Sequence, residues 1–327
     1  MSATARRAAI ALLAALSIGH VRAADMNMRV FQINDHLISF YIGRPPQPAH
    51  PPATSNWADE DALNQGVSTY VIHRGDQALV YDTYPLPEPA RWVRDYLTRA
   101  GIKHFTLVNS HWHLDHVGGN AEYADADRIA TNATIQILNS KRATIEAGTE
   151  WGSPAIKPLA VPNIGINADT EYYVGDIEVE LRPVKIHSDD GLVIYLPSDR
   201  ILLAGDTLED TVTFIAEPEH VIQHYNNMRK LKQWDIDRIY PNHGNPDVIA
   251  HGGYQTTLID ATLSYLRKVI LRAHDPNYTK GTLEDYVADS VKKGWVSIWW
   301  AYRAPHQNNL NRVSEALKNQ PLPELPQ

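Results

Sequence analysis

Residues 108–120, VNSHWHLDHVGGN, constrain this chain more than any other stretch. An apolar run ending at Val108 reads as a short buried strand, and His111, His113, Asp115 and His116 follow it directly, then two glycines. In extended chain a spacing of two sends alternate side chains the same way, so one short loop can aim several donors together. Imidazole and carboxylate are ligands that borderline metals such as Zn2+ accept. One such histidine alone would read as an ordinary surface or core residue. Four potential ligands in six positions read as a metal site, and the loop can feed two adjacent metals.

The flanking text is that of a mixed α/β chain. Residues 28–42 alternate into a strand-like start, and the proline-rich stretch 43–55 that follows is a loop. Residues 67–83, VSTYVIHRGDQALVYDT, hold two β-rich runs around Arg74, Gly75 and Asp76, which predicts a hairpin. Val93, Tyr96, Leu97 and Ala100 recur at helical spacing within 88–100, and the strand 105–108 follows, a β-α-β alternation that implies mixed layers. Residues 172–186 and 192–204 are strand-rich, with a helix predicted at 220–234 and a strand at 238–240. Beyond Gly253 the text turns helical and aromatic: 258–274, 283–293, then Trp295, Trp299, Trp300 and Tyr302. This reads as a helical cap packed on the core, since aromatic stripes usually bury. The terminal PLPELPQ reads as a loose tail.

At 327 residues the chain can bury a sizeable core as one large domain plus an appendage. Arg6 and Arg7, an apolar run from Ala8 to Ile18, and small residues at Ala23 and Ala24 read as a cleaved signal peptide, with the run well short of the roughly 20 residues of a membrane span. The domain reading is therefore 1–24 leader, 25–253 catalytic domain and 254–327 helical extension, with the mature protein periplasmic or secreted and free of the membrane once the leader is cut. Cysteine is absent, which excludes disulfides, thiolate mechanisms and cysteine metal ligands. The formal charge of −8 includes three leader arginines, Arg6, Arg7 and Arg22, so the mature chain stands at −11. Such acidity argues against nucleic acid and leaves a small molecule as the expected partner.

His111-Trp112-His113-Leu114-Asp115-His116 resembles the HxHxDH signature of the metallo-β-lactamase superfamily. The resemblance extends in order through Asp82 in LVYDT, His187 in VKIHSDDG, Asp206 in ILLAGDT and His243 in YPNHG. It implies a four-layer αββα sandwich, here with a C-terminal helical extension. It also implies His111, His113 and His187 on one metal, Asp115, His116 and His243 on a second, Asp206 bridging, and Asp82 supporting the ligand loops through hydrogen bonds. The implied cofactor is two Zn2+, although such ligand sets also accept manganese, iron and cobalt.

Two adjacent ions would lower the pKa of a shared water that Asp115 orients, so the implied reaction is hydrolysis of a lactone, ester, thioester or amide. Asp206 stands where one β-lactamase subclass has a cysteine, and it makes the site more similar to lactonases and glyoxalase-type thioesterases. Export argues against a cytosolic glutathione thioester. The segment HSDDGLVIYLPSDRILLAGD, however, is similar to that of periplasmic β-lactamases, so β-lactam opening stands as an alternative. A di-iron oxidoreductase or a non-catalytic metal-binding protein are alternatives of another class; the first is weakened by the absence of a flavin-binding domain. Trp57, Trp112 and Trp151 are candidates for an apolar substrate wall, and residues 43–58 for a loop over the metals.

Overall fold

A computed structural model describes residues 27–50 and 56–325. The expected leader, 1–24, and the proline-rich positions 51–55 lie outside these residues. The strands fall into two sheets, one of seven and one of five, and the chain divides into two compact units, Met1–Leu181 and Arg182–Gln327.

In the first unit, Arg29–Gln32 (β1), Leu37–Ile42 (β2), Val67–Arg74 (β3) and Gln77–Tyr81 (β4) run antiparallel. The turn between β3 and β4 is Gly75-Asp76, and Gly75 takes a φ of +63°, a conformation that costs a glycine little. Helix Pro87–Arg99 (α1) then crosses over to His104–Val108 (β5), which is parallel to β4. Its helical stripe is why it lies where it does: Val93, Tyr96 and Leu97 bury with Ile38, Phe40, Val71 and Val80 of the sheet, each such side chain contributing about 1.5–3 kcal/mol. The one-turn helix Leu114–Val117 (α2) follows β5, and Asp127–Thr131 (β6) and Ile164–Ile166 (β7) complete the seven-stranded sheet in parallel.

Between β6 and β7 lies Asn132–Glu146 (α3), for which the apolar pattern predicts no element; only Thr134, Leu138 and Ile145 of its 15 residues are buried. Its start is set by Thr131, whose hydroxyl accepts the Thr134 N–H at 3.1 Å. The hairpin Thr170–Val174 (β8) and Ile177–Pro183 (β9) begins the second sheet.

In the second unit, Leu192–Leu196 (β10) and Ile201–Gly205 (β11) pair antiparallel, helix Val221–Leu231 (α4) crosses over, and Arg238–Pro241 (β12) returns parallel to β11. This is the strand-then-helix repeat that the sequence predicts. The remainder is helical: Pro246–Ala250 (α5), Thr257–Leu271 (α6), Leu283–Lys292 (α7) and Arg303–Leu317 (α8). The helical extension expected from residue 254 thus lies within this unit, whose core joins Val212, Ile215 and Tyr225 to Tyr265, Tyr286 and Leu310. The C-terminal segment is not a loose tail as far as Leu325, which is buried in that core with Leu322 packed against it. No helix among the described residues is long and apolar enough to cross a membrane.

Candidate metal centre

The first unit carries the His111–His116 loop on a hydrogen-bonded frame. Asp82 ends β4 in a left-handed conformation, φ +65°, with its side chain fully buried. One carboxylate oxygen accepts the Ser110 N–H at 2.7 Å and the other faces His116 Nδ1 at 2.9 Å. A carboxylate only accepts, so His116 donates to it from Nδ1 and turns Nε2 toward Asp115. The resemblance implies that Asp82 supports the ligand loops through hydrogen bonds, and these are the two contacts through which it would do so. The frame continues through residues the sequence reading did not single out. Thr83 donates to Asn120 at 2.7 Å, and Asn109 and Asn120 exchange side-chain hydrogen bonds at 2.8 and 3.1 Å. The His116 carbonyl accepts from Asn109 Nδ2 and from the Thr83 N–H. Gly118 explains one half of the glycine pair: a Cβ there would meet the Pro85 carbonyl oxygen at 2.2 Å, so only glycine lets this turn rest on the strand end that carries Asp82.

His111 shares a 2.8 Å hydrogen bond from Nδ1 with the Ser110 hydroxyl, and its ring stands 4.4 Å from those of His113 and His116. Asp115 Oδ2 lies 3.5 Å from His116 Nε2. All four are buried. Beside them the three tryptophans come together: Trp151 lies 5.7 Å from Trp57, 5.8 Å from Trp112 and 5.3 Å from the His113 ring. Trp57 is buried and donates its indole N–H to the Pro154 carbonyl at 2.9 Å, so it anchors the cluster while Trp112 and Trp151 stay partly open.

The second unit carries His187, Asp206 and His243. β11 ends in a register shift between Leu203 and Gly205, and Gly205, φ +55°, turns the chain so that Asp206 follows the strand end. One oxygen of Asp206 stands 3.9 Å from His187 Nε2 and 3.5 Å from His243 Nε2. His187 is held from its other nitrogen, with the Thr213 hydroxyl at 3.4 Å and Glu209 Oε1 at 3.6 Å. Glu209 is buried, and burial together with the neighbouring Asp206 charge pushes its carboxyl up to about 8. Sequence reasoning passed over Glu209; the available signal was a second acid three residues after Asp206 in GDTLED.

Asp210 ties this loop to the C-terminal segment. Its carboxylate accepts from Tyr254 Oη at 2.8 Å, the Ser297 N–H at 2.9 Å and the Ser297 hydroxyl at 3.0 Å, while its N–H donates to the His243 carbonyl at 3.1 Å. Thr211 adds a bond to the Ser297 carbonyl at 2.7 Å. Residues 295–302 are therefore more than a cap, because they fix the backbone that carries Asp206 and His243. Asp210→Ala should cost about 3 kcal/mol of stability, since bonds to a charged group are worth about 1.5–3 kcal/mol, and the buried Tyr254 and the half-buried N–H of Ser297 lose their partner. Chemical denaturation checks this; a loss below about 1 kcal/mol would show that the latch carries no energy.

The donor set fits a borderline divalent metal. His111, His113, Asp115 and His116 in one unit, and His187, Asp206 and His243 in the other, belong to His/Asp groups able to hold metal ions, and all seven are buried. Isolated carboxylates and imidazoles are costly to bury, whereas nitrogen and oxygen donors of this kind are what zinc-class ions use. Where a second nitrogen is fixed, it is by a protein partner, which is the arrangement that orients metal-binding imidazoles.

A family model described as the metallo-β-lactamase superfamily matches residues 64–243, a span that runs from before Asp82 to His243. A Caenorhabditis elegans protein named beta-lactamase-like protein 2 homolog is 24% identical over 266 residues, covering 80% of this chain and 82% of its own. An atrochrysone carboxyl ACP thioesterase of Aspergillus novofumigatus is 23% identical over 181 residues, 55% of this chain and 49% of the relative, so the chain spans about half that enzyme's length. Among solved structures, a metallo-beta-lactamase from Pontibacter korlensis superposes with a TM-score of 0.53 at 17% identity, covering 73% of this chain and 99% of that one, which concerns the fold. A family model that matches more than half the chain, and a mixed α/β fold shared with such a neighbour, place this protein in the metallo-β-lactamase superfamily of metal-dependent hydrolases.

Proposed function

We propose that this chain is a dinuclear zinc-class hydrolase that opens a lactone, ester or related carbonyl substrate and that works outside the cytoplasm after loss of residues 1–24. In this reading His111, His113 and His187 hold one ion, Asp115, His116 and His243 the other, and Asp206 bridges them. The observation that carries it is the set of seven buried His and Asp donors, with His116 facing Asp82 through Nδ1 and His187 facing Thr213 through Nδ1, the way metal-binding imidazoles are oriented.

Two bound ions would supply a water activated near neutral pH and a positive charge to polarise the carbonyl. The protein's own residues would do the rest. Asp115, buried beside His116, would accept a hydrogen bond from the attacking water and fix its direction. Asp82 and Ser110 would keep the histidine loop from moving as charge develops. Trp112 and Trp151, partly open beside His113, would form the apolar wall against which the substrate's acyl or ring portion packs.

Opening of a β-lactam is the second reading, favoured by the stretch from His187 to Asp206, HSDDGLVIYLPSDRILLAGD. A panel of acyl-homoserine lactones, aryl esters, thioesters and a chromogenic cephalosporin, assayed with and without chelator on protein whose metals are counted, separates the two. At least two ions and chelator-sensitive turnover are expected, with lactones or esters preferred; no turnover on any member and fewer than two ions would overturn the proposal. On the best substrate, Trp151→Ala should lower kcat/KM by about tenfold, the equivalent of about 1.4 kcal/mol of lost aromatic contact, with metal content unchanged. Unchanged kcat/KM on every accepted substrate would reduce Trp151 to a packing residue.

A further inference from the structure

A second cluster of metal-ligating side chains lies in the Arg182–Gln327 unit and shares no residue with the groups that contain His187, Asp206 and His243, although Asp189 follows His187 by two positions. His220 caps the N-terminus of α4, and His224 follows one turn later, so the two imidazoles stand on one face of the same helix. Asp189, in the loop before β10, faces both. Its Oδ2 lies 2.6 Å from His220 Nδ1 and its Oδ1 lies 3.2 Å from His224 Nε2. One donor atom from each residue lies within 4.8 Å of the other two.

We propose that Asp189, His220 and His224 form an accessory site for a divalent ion of the zinc, nickel or copper class. Two imidazoles and one carboxylate are the donors these ions prefer, whereas magnesium and calcium take oxygen. Tetrahedral donors about 2.0–2.1 Å from zinc stand about 3.4 Å apart, so the widest pair here needs to close by no more than about 1.4 Å, and Asp189 Oδ2 and His220 Nδ1, now 2.6 Å apart, need to open by about 0.8 Å. His220 can make that adjustment, because its side chain is 44% exposed, while His224, 1% exposed, is already fixed.

Three protein ligands leave coordination positions for water, and the exposure of Asp189 and His220 lets an ion enter from solvent. The positive end of α4 opposes a cation by a few tenths to about 1 kcal/mol. Nearby acids work the other way: Glu219 acts on His224, and burial with the charges of Asp189 and Asp190 beside it pushes the Glu217 carboxyl up to about 7, a crowding of acids that a cation would relieve. Glu217 also fixes the Asp189 backbone by accepting its N–H at 3.1 Å. An ion here would cross-link the β9–β10 loop to α4. The assignment does not depend on the hydrolase reading.

The test is equilibrium dialysis of the full chain against low-micromolar Zn2+, with elemental counting of the bound metal. His220→Ala and Asp189→Asn should each bind one equivalent fewer than the wild type, while chelator-sensitive turnover on the panel persists in His220→Ala. His220 is half exposed, so its replacement leaves the fold intact, and circular dichroism confirms that. Loss of an equivalent in both variants supports the site. Equal stoichiometry in wild type and both folded variants, or an extra equivalent that appears only at millimolar Zn2+, overturns it and leaves Asp189 as a hydrogen-bond partner of two histidines. A failure of the hydrolase reading would appear instead as absent turnover in the wild type.

Discussion

Asp206→Ala should lower kcat/KM by about a thousandfold on the best substrate and release at least one of two bound ions. In the second unit a single oxygen of Asp206 faces His187 Nε2 and His243 Nε2, at 3.9 and 3.5 Å. Its placement is built rather than incidental: the Thr213 hydroxyl donates to the Asp206 carbonyl at 2.8 Å, and Gly205 turns the chain immediately before it. Metal-ion stabilisation of a polarised carbonyl is worth several kcal/mol, and each 1.36 kcal/mol is a factor of ten in rate, which gives the expected size. Asp206→Asn is the companion variant, since it keeps the shape and one oxygen but removes the charge that two cations would share. Elemental analysis alongside kinetics decides the matter. Full activity with the wild-type metal content retained in the alanine variant would remove the bridging role.

Much of this arrangement is legible in the sequence because its strongest elements are local. The hairpin predicted at 67–83 forms as β3 and β4 around Gly75, and the helices expected at 88–100 and 220–234 form as Pro87–Arg99 and Val221–Leu231. Each is written in a period of two or of 3.6 and in its turn residues, which a single sequence displays. α8 is harder to read because its buried stripe begins with His306 and Asn309, polar residues that an apolar period does not register. Asn309 is buried because it is satisfied, donating to the Thr213 carbonyl at 3.0 Å and accepting the Ile215 N–H at 2.8 Å. Those partners are more than 90 positions away, and no local pattern announces them.

The same distinction separates the site residues. His111, His113, Asp115 and His116 announce themselves by density, six positions with four donors. Glu209 and Thr213 do not, because their role is to sit behind His187, which only the fold decides. Asp210 is more hidden still. In sequence it is one more acid in GDTLED, and in the structure it latches a segment 87 residues away. The tryptophans lie between these cases. Their types suggested a wall, but only the loop geometry brings Trp57, Trp112 and Trp151 to one place beside His113.

Asp82 offers the experiment that best separates what holds the fold from what prepares the metal ligands. Its buried carboxylate does two jobs at once, accepting the Ser110 N–H and setting the tautomer of His116. Asp82→Ala should remove both. The buried Ser110 N–H loses its acceptor, a cost of about 1–3 kcal/mol, and alanine tolerates the φ of +65° less well than aspartate, adding about 1 kcal/mol. A destabilisation of about 3 kcal/mol is therefore expected by chemical denaturation of metal-free protein. Asp82→Asn should act differently. Its amide oxygen still serves Ser110, so stability changes little. Its amide nitrogen, however, now faces His116 Nδ1 as a donor, which favours the tautomer with the proton on Nε2 and takes away the lone pair a metal needs. Metal affinity should then fall about 10- to 100-fold with the fold intact. If the asparagine variant binds metal and turns over substrate like the wild type, His116 does not depend on Asp82 for its tautomer, and the carboxylate serves only to hold the loop.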